Sequence, residues 1–585
     1  MVPICWGIVI RDGRRQFLGG AAVDSVAADS AAVCRLPSAV SSFPFAVYCT
    51  AYLFWLASVW WVSHPYPPFT TIGLFALAAV LSLFWVLFFV SARVAVHRYN
   101  IPLLVAMPLC WLGTEYIRCR ILGGFSFCAL EHAFYLYPPL IQFASIGGGL
   151  LVGGIIMFLG AALLTLCQLC ISIVSFAAKI HKHEDFTEDA IKKYQSTGNS
   201  ALSACCFLLF LFLAWIAMSL QEYNPSDNLT SYSIVALQGN RQVYIDGGQE
   251  EADKTFAQFV HLAYQEIDDR KQAGVPLPDL IVFPETVCPI PVLVFEGMVT
   301  PADFGWTEEQ ATHWERDFRR FAQSIQTPVL LGLSTLVFAD TTSDPIRLNS
   351  ALFVKPSLVS APSGEGDSPP LPEGKEPEPP TKMYRYDKMH LVLFGEYVPL
   401  AEYLPSNFIL RTLCHEARHG MVPLAIPIGY GNEEKETIDA AVNICFESSV
   451  AHLIRQQILT LRKWGHDPRM LINLSNDGWF RNSHAMEQHL ATHVFRAVEN
   501  RMYYVTATNG GFSAIISPYG KIRNIGERPS DKAGAEAVSG EVSVNVNMPQ
   551  CTTIYQIVGD GYALPLAVGV LILTGIGWRE RRKRP

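Results

Sequence analysis

Hydrophobic and polar positions follow two different patterns along the chain. Up to residue 220 the apolar residues gather in long runs, near 43–63, 70–91, 101–117, 143–176 and 201–220, and one more run follows near 561–578. A helix needs about 20 apolar residues to cross the hydrocarbon core of a bilayer, so these six runs are expected to be membrane spans. The run at 143–176 exceeds one crossing and is expected to be tilted or partly interfacial. From 228 onward short apolar stretches alternate with amphipathic ones. "SYSIVALQG", "DLIVFPE", "PVLLGLST", "NSALFV", "IDAAVNIC", "RMLINLSN", "YYVTATNG" and "FSAIISPYG" read as strands, and 250–273, 307–326, 448–463 and 484–501 carry the helical period. A region of roughly 330 residues built this way has ample length for a sizeable α/β core.

Basic residues orient the spans. Arg93 and Arg98 fall between the second and third runs, Lys179, Lys182, Lys192 and Lys193 between the fourth and fifth, and "RERRKRP" ends the sequence. Alternation puts all three segments on the cytoplasmic side, and the stretch 221–560 on the other, the periplasm of a Gram-negative-type cell. Arg118 and Arg120 fall on the disfavoured side. The expected organisation is a leader over 1–40, a transmembrane domain over 41–220, a periplasmic domain over 221–558, and a transmembrane helix with a basic tail over 559–585. "RRQFLGGAA" in the leader resembles a twin-arginine signal, without a convincing apolar stretch behind it. Residues 361–380, "APSGEGDSPPLPEGKEPEPP", are too polar and proline-rich to bury a core and read as a flexible insertion.

Composition agrees with a membrane chain: half the residues are hydrophobic and only 16% are charged. A net charge of −8, with no basic stripe, excludes nucleic acid as a partner. Ten of the 14 cysteines precede residue 210, mostly inside apolar runs, where cysteine behaves as a small hydrophobe. Cys167 and Cys170 have redox-motif spacing, but no neighbouring charge to activate them. His489 and His493 are four apart on one helical face, yet "HLATH" lacks the glutamate of a metalloprotease helix, so a metal site is not expected.

Three expected strand ends each carry one reactive side chain: Glu285 in "LIVFPET", Lys388 in "YRYDKMHLVLFGEYVPL" and Cys445 in "VNICFES". Open α/β sheets display functional groups at strand ends. A thiol attacks a carbonyl only as thiolate, so a base must take its proton, which a glutamate can do. A lysine can meet the oxyanion that then develops.

"FPET", "YDKMHLVLFGEYVP", "NICFES" and "NLSNDGWF", in this order and between membrane spans, resemble the motifs of the apolipoprotein N-acyltransferase family, the membrane-embedded branch of the nitrilase superfamily. "WLGTEYIRCRILGGFSF" is similar to that family's membrane domain, and the resemblance covers roughly 43–580. It implies an α-helical transmembrane bundle with a periplasmic nitrilase-like α-β-β-α sandwich. It further implies transfer of an acyl chain from a membrane phospholipid, through a Cys445 thioester, to the N-terminal amine of a diacylglyceryl-modified apolipoprotein. The enzyme would lie in the cell inner membrane and need no metal or organic cofactor. Carried over by motif, Glu285 is the general base, Lys388 the transition-state stabiliser and Cys445 the nucleophile, with Glu396 a further glutamate of the site. Glu447 matches the acidic residue two places beyond the nucleophile, and Trp479 an aromatic near the lipid entrance.

The sequence departs from the family in three places. Phe446 stands where tyrosine is common, and "QGNRQVYIDGG" offers Tyr244 at best for a missing tryptophan. Six runs stand against the family's eight spans. Ordinary readings also remain for single residues: Glu447 could cap the helix expected near 448, Trp479 could pack in the core, and Glu396 could be a buried, hydrogen-bonded carboxylate. Two other functions fit less of the pattern. A membrane-tethered nitrilase-type amidase would resolve the thioester with water, and a transport or assembly protein would carry a degenerate enzyme domain.

Overall fold

The computed structural model describes residues 39–121, 123–181, 188–220, 229–241, 249–341, 344–356, 384–398, 403, 417–429, 435–481, 483–529, 534–546 and 550–582. Residues 1–38 of the expected leader, the insertion 361–380 and Tyr244 lie outside them.

Five helices open the described chain: α1 (Ala39–Ser58), α2 (Phe69–Tyr99), α3 (Leu103–Arg118), α4 (Ala144–His181) and α5 (Glu188–Leu220). Large apolar side chains stay exposed along them, among them Phe45, Leu53, Ile72, Leu163 and Phe210. Such a surface suits lipid and would aggregate in water. Among the described residues three helices are long and apolar enough to cross a membrane: Phe69–Tyr99, Ala144–Ala177 and Gly561–Arg579. Phe43–Ser58 and Gly198–Ala214 are apolar but shorter. The third expected run, α3, has only 16 residues, and its last turn holds a buried Glu115–Arg118 pair. The long run at 143–176 is one helix broken near its start, where Gly147 and Gly148 leave helical geometry. Gly148 has φ +70, and a Cβ there would meet the Tyr555 ring at 2.7 Å. The arginines that offend the charge rule are neutralised in place. Arg118 donates to Glu115, and Arg120 makes a forked bond to Asp560 at 2.6 and 2.7 Å.

The α/β part contains two sheets. The first holds β1 (Thr230–Gln238), β2 (Leu280–Val282), β3 (Val292–Phe295), β4 (Val329–Phe338), β5 (Ile346–Val354) and β6 (Tyr384–Asp387), and the later strand β13 (Glu536–Val544). Its order is β13-β1-β2-β4-β5-β6, with β3 also on β4. The second holds β7 (Ala425–Ile428), β8 (Ile438–Ile444), β9 (Pro468–Asn476), β10 (Tyr503–Asn509), β11 (Ala514–Ile516) and β12 (Ile522–Ile525), in the order β12-β11-β10-β9-β8-β7. In both, the central strands pair in parallel and the outer ones antiparallel.

The sheets pack face to face. Ile234, Ala236, Val282 and Phe353 of the first meet Ile426, Val442, Ile472 and Val505 of the second in one core. The alternate residues of the same strands point outward and are covered by helices, so the central strands are apolar on both faces. Helices α6 (Gln249–Ala273) and α7 (Glu308–Ile325) cover the first sheet, packing Phe259, Trp314 and Phe318 on Val235, Ile281 and Leu331. Helices α8 (Ala451–Lys463) and α9 (Ala485–Asn500) cover the second, packing Ile458, Leu490 and Phe495 on Ala441, Leu471 and Tyr504. The result is an α-β-β-α sandwich. Each large apolar side chain so buried stabilises by about 1.5–3 kcal/mol before entropy is counted. After β13 the chain passes through α10 (Ile554–Val558) and enters α11 (Leu564–Arg582), which packs back on the membrane helices.

Two sequence expectations are corrected here. The helix expected from 448 starts at Ala451, because Cys445–Ser449 closes into a 3-10 turn. Strands β3, β6, β7, β12 and β13 are additional to the eight expected.

Candidate active site

The first sheet contributes two charged groups. Past the end of β2 the chain turns sharply at Glu285 and Thr286, the latter at φ +49. Gly332 of β4 makes this possible, since a Cβ there would fall 2.1 Å from the Pro284 carbonyl oxygen. The end of β6 delivers Lys388, whose side chain is 1% exposed. Its Nζ donates to Glu285 Oε1 at 3.1 Å and to Glu396 Oε1 at 2.8 Å. Asn349 Nδ2 bridges the same two oxygens, at 2.7 Å from Glu285 and 3.1 Å from Glu396. The remaining oxygens accept backbone N–H groups, Glu285 Oε2 from Asn476 at 3.0 Å and Glu396 Oε2 from Val392 at 2.9 Å. Two carboxylates thus share one ammonium, and each is held at both oxygens.

The second sheet contributes the thiol. Cys445 follows β8 at φ +50, a left-handed conformation that costs a non-glycine residue about 1–3 kcal/mol. Its carbonyl is held by Asn473 Nδ2 at 3.2 Å. Burial pushes the thiol well above its ordinary range; the Glu285 and Asp477 charges add to the rise, against Lys388 and a hydrogen bond with Ser475. The resting sulfur is therefore a neutral thiol, and its proton must be removed for attack. Burial works against the charge on Lys388, but the Glu285 and Glu396 carboxylates hold it well above its ordinary value, so it stays an ammonium. Burial also opposes ionisation of Glu396, yet Lys388 outweighs it and leaves that carboxyl below its ordinary value.

Glu447, fully buried, joins the two sheets. Its carboxylate accepts from the Ile444 N–H at 2.6 Å, the Met389 and His390 N–H groups at 2.7 and 2.9 Å, and the Tyr386 hydroxyl at 2.8 and 2.9 Å. It ties the Lys388 loop to the Cys445 turn and does not cap α8. Phe446 is half-buried and leaves the sandwich: its ring lies 5.8 Å from Phe127 of the membrane part and stacks at 5.9 Å on His390. Trp479 is half-buried in the 3-10 turn Asp477–Phe480 after β9. Its neighbour Phe480 makes the membrane contact, 4.7 Å from the Trp61 ring, with its carbonyl facing His64 Nδ1 at 2.9 Å.

The structure therefore gathers Glu285, Lys388 and Glu396 into one cluster, whose Glu285 and Lys388 charges reach the Cys445 thiol, and Trp479 lies in the turn after β9. Sequence reading missed Asn349, Tyr386, Ser475 and Asp477. Ser475 and Asp477 offered a signal, as polar residues closing the apolar run in "MLINLSND"; Asn349 and Tyr386, in the more polar "IRLNSALFV" and "YRYD", offered none. His489 was noticed only for its spacing from His493. No group of three potential metal ligands occurs among the described residues. His489 instead faces Asp477 and the Cys445 carbonyl, and His493 stacks on Tyr504.

Comparison with known proteins bears on these elements. The apolipoprotein N-acyltransferase N-terminal domain matches residues 30–162, and the carbon-nitrogen hydrolase domain matches 278–527. An apolipoprotein N-acyltransferase of Geobacter metallireducens is 27% identical over 531 residues, covering 90% of this chain and 84% of the relative. One of Bordetella bronchiseptica is 25% identical, covering 88% and 83%. Among solved structures, Nit3 of Saccharomyces cerevisiae, a member of branch 10 of the nitrilase superfamily, covers 57% of this chain and 97% of its own at 14% identity and a TM-score of 0.32. With relatives aligned across membrane and α/β parts alike, the chain has the domain make-up of an apolipoprotein N-acyltransferase, that family's N-terminal domain followed by a carbon-nitrogen hydrolase domain.

Proposed function

We propose that the protein transfers an acyl chain from a membrane phospholipid to the N-terminal α-amine of a diacylglyceryl-cysteine in an apolipoprotein, in two steps at Cys445. In the first, Glu285 takes the thiol proton and the sulfur attacks the ester carbonyl. The Lys388 ammonium and the Phe446 N–H meet the oxyanion. Collapse expels the lysophospholipid alkoxide, which takes the proton back from Glu285 and leaves an acyl-thioester. In the second, the neutral α-amine attacks the thioester and Glu285 accepts its proton. The expelled sulfur is reprotonated, and the amide departs. Dividing the transfer replaces one difficult aminolysis by two easier steps.

The observation that carries this reading is the buried Glu285–Lys388–Glu396 cluster beside a neutral thiol on a left-handed turn. The next residue, Phe446, already packs on an aromatic of the membrane part. A base, an oxyanion partner and a nucleophile meet there on the side from which lipid arrives. Glu396 keeps Lys388 charged and in place, and Glu447 holds the two loops together. In the same reading residues 41–220 and 559–585 form the membrane domain, 221–558 the periplasmic domain, and Trp479 lines the lipid path.

The test is mass spectrometry of the purified protein with phospholipid vesicles, followed by a diacylated lipopeptide. The expected result is an acyl adduct on Cys445 that persists in water and passes to the lipopeptide. Cys445→Ala should form none, and Glu285→Gln should acylate about 10²–10⁴-fold more slowly. An adduct that turns over rapidly with water would make the protein a hydrolase, and no adduct would end the reading.

A further inference from the structure

Cys445 occupies a strained conformation, and its carbonyl is held from two sides. Asn473 Nδ2 donates to it at 3.2 Å, and His489 Nε2 lies 3.3 Å from it. The imidazole is itself fixed at its other nitrogen, where Nδ1 faces both oxygens of Asp477 at 3.0 and 3.1 Å. Nδ1 carries its hydrogen toward the carboxylate, and in the charged form of the ring Nε2 also carries one, toward the Cys445 carbonyl. The remaining contacts agree. Ser448 Oγ, 2.9 Å from Nε2, accepts from it and donates to Thr492 Oγ1, whose own hydrogen goes to the His489 carbonyl. Burial works against the charge, but Asp477 and the Cys445 carbonyl more than offset it, and the ring titrates above its ordinary value.

Asp477 also accepts from Ser475 Oγ at 3.0 Å, and its charge raises the Cys445 thiol further. The pair therefore acts on Cys445 at its carbonyl by contact and at its sulfur through charge. Phe127 of the membrane part covers it, edge-on to His489 at 5.9 Å.

We propose that Asp477 and His489 are positioning residues that lock and polarise the Cys445–Phe446 peptide, so that the Phe446 N–H is aimed at the oxyanion formed on acylation. In a trans peptide the C=O and N–H point in opposite directions. Fixing the Cys445 oxygen with the ring and an amide therefore fixes the Phe446 hydrogen on the other side. A carbonyl that accepts a charged donor also makes its own N–H a stronger one. This proposal rests on the reading of Cys445 as nucleophile.

The test compares two reactions of Cys445 in the full-length protein in detergent micelles. Acylation by p-nitrophenyl butyrate builds an oxyanion; alkylation by iodoacetamide, a displacement at saturated carbon, does not. Loss of one oxyanion donor slows acyl transfer by about 10²–10³-fold. His489→Leu is expected to lose acylation on that scale while alkylation does not fall. His489→Gln, which keeps an N–H near the position of Nε2, is expected to recover about tenfold of the loss. Asp477→Asn, nearly unchanged in size, should slow acylation and spare alkylation. Equal losses of both reactions in Asp477→Asn and His489→Gln would reduce the pair to a structural role and overturn the proposal. Acylation of His489→Leu at the parent rate would overturn it as well. A parent protein acylated by the ester but not by phospholipid would fail the proposed function, and would leave this comparison of rates intact.

Discussion

Helices α7 and α9 fill equivalent places, one on each outer face of the sandwich, and they are built oppositely. In α7 the buried residues are Ala311, Trp314, Phe318, Ala322 and Ile325, a single stripe spaced three and four apart, and the opposite face carries ion pairs such as Arg316–Glu309. Thr307 and Gln310 cap its start reciprocally, at 3.2 and 2.9 Å. In α9, Ala485, Met486 and the whole of His489–Asn500 are buried, including His493, Arg496 and Glu499. The sheet covers one side and the membrane part the other. Glu499 accepts the Gly149 N–H of α4 at 2.9 Å, and Gln488 donates to the Ser58 carbonyl at 2.9 Å. The first layer faces water and needs only a stripe. The second is an interior layer, and its polar residues hold the catalytic half of the sandwich to the helices beside it.

Four measurements would break or sharpen that contrast. The largest effect is expected at the tie between the two sheets, Glu447→Ala. It strips the Ile444, Met389 and His390 N–H groups and the Tyr386 hydroxyl of their acceptor. At about 1–3 kcal/mol for each orphaned donor, the fold should be lost or nearly so in a detergent melt. The same residue carries a pH signature. Burial pushes its carboxyl up to about 7, against the pull of its N–H donors and of Lys388. A folded value raised above the unfolded one gives stability that is complete below the unfolded value of 4.5 and disappears as pH rises through about 7. The melting temperature should therefore fall across that window, and Glu447→Gln should flatten the fall.

Next comes Arg496→Ala, which leaves Glu499 buried without its 2.8 Å partner. A cost of about 3–5 kcal/mol is expected in the same melt. A cost below about 1 kcal/mol would mean that α9 is no more interior than α7. A smaller effect, read in rates, is expected at the thiol. Because the Glu285 charge raises the Cys445 pKa, Glu285→Gln should move the midpoint of iodoacetamide alkylation to lower pH, although it slows acylation. An unmoved midpoint would separate Glu285 from the sulfur. The smallest effect is expected at Arg316→Ala on the wet face of α7, within about 0.5 kcal/mol, since exposed ion pairs contribute little.

The strands show where sequence pattern stops being informative. All eight strands expected from the pattern are present, and the five it missed are β3, β6, β7, β12 and β13. Four of these are the edges of the two sheets and the fifth lies off the main path. Central strands are covered on both faces and on both sides, so they must be apolar and β-branched, and they stand out. An edge strand such as β13, "EAVSGEVSV", is paired on one side only and tolerates glutamate, serine and glycine. Its pairing with β1, some 300 positions away, is a tertiary fact.

The site divides in the same way. Glu285 and Cys445 were legible because each follows an apolar strand, where a lone reactive side chain is conspicuous, and Lys388, after the edge strand β6, because the surrounding words resemble a family. The helices and the change of pattern at residue 228 were equally legible, since periodicity and composition are local properties. Tertiary structure alone decided the protonation and the partners. It put Asn349 between two carboxylates and turned Glu447 from a candidate cap into a tie between sheets. It made Phe480, rather than Trp479, the aromatic that touches Trp61, and it set His489, half of a metal-like spacing, between Asp477 and the Cys445 carbonyl. Those outcomes depend on which polar groups are sealed together away from water, because burial is what makes a charge seek its partner. Residues brought together from distant strands carry no local mark of that meeting.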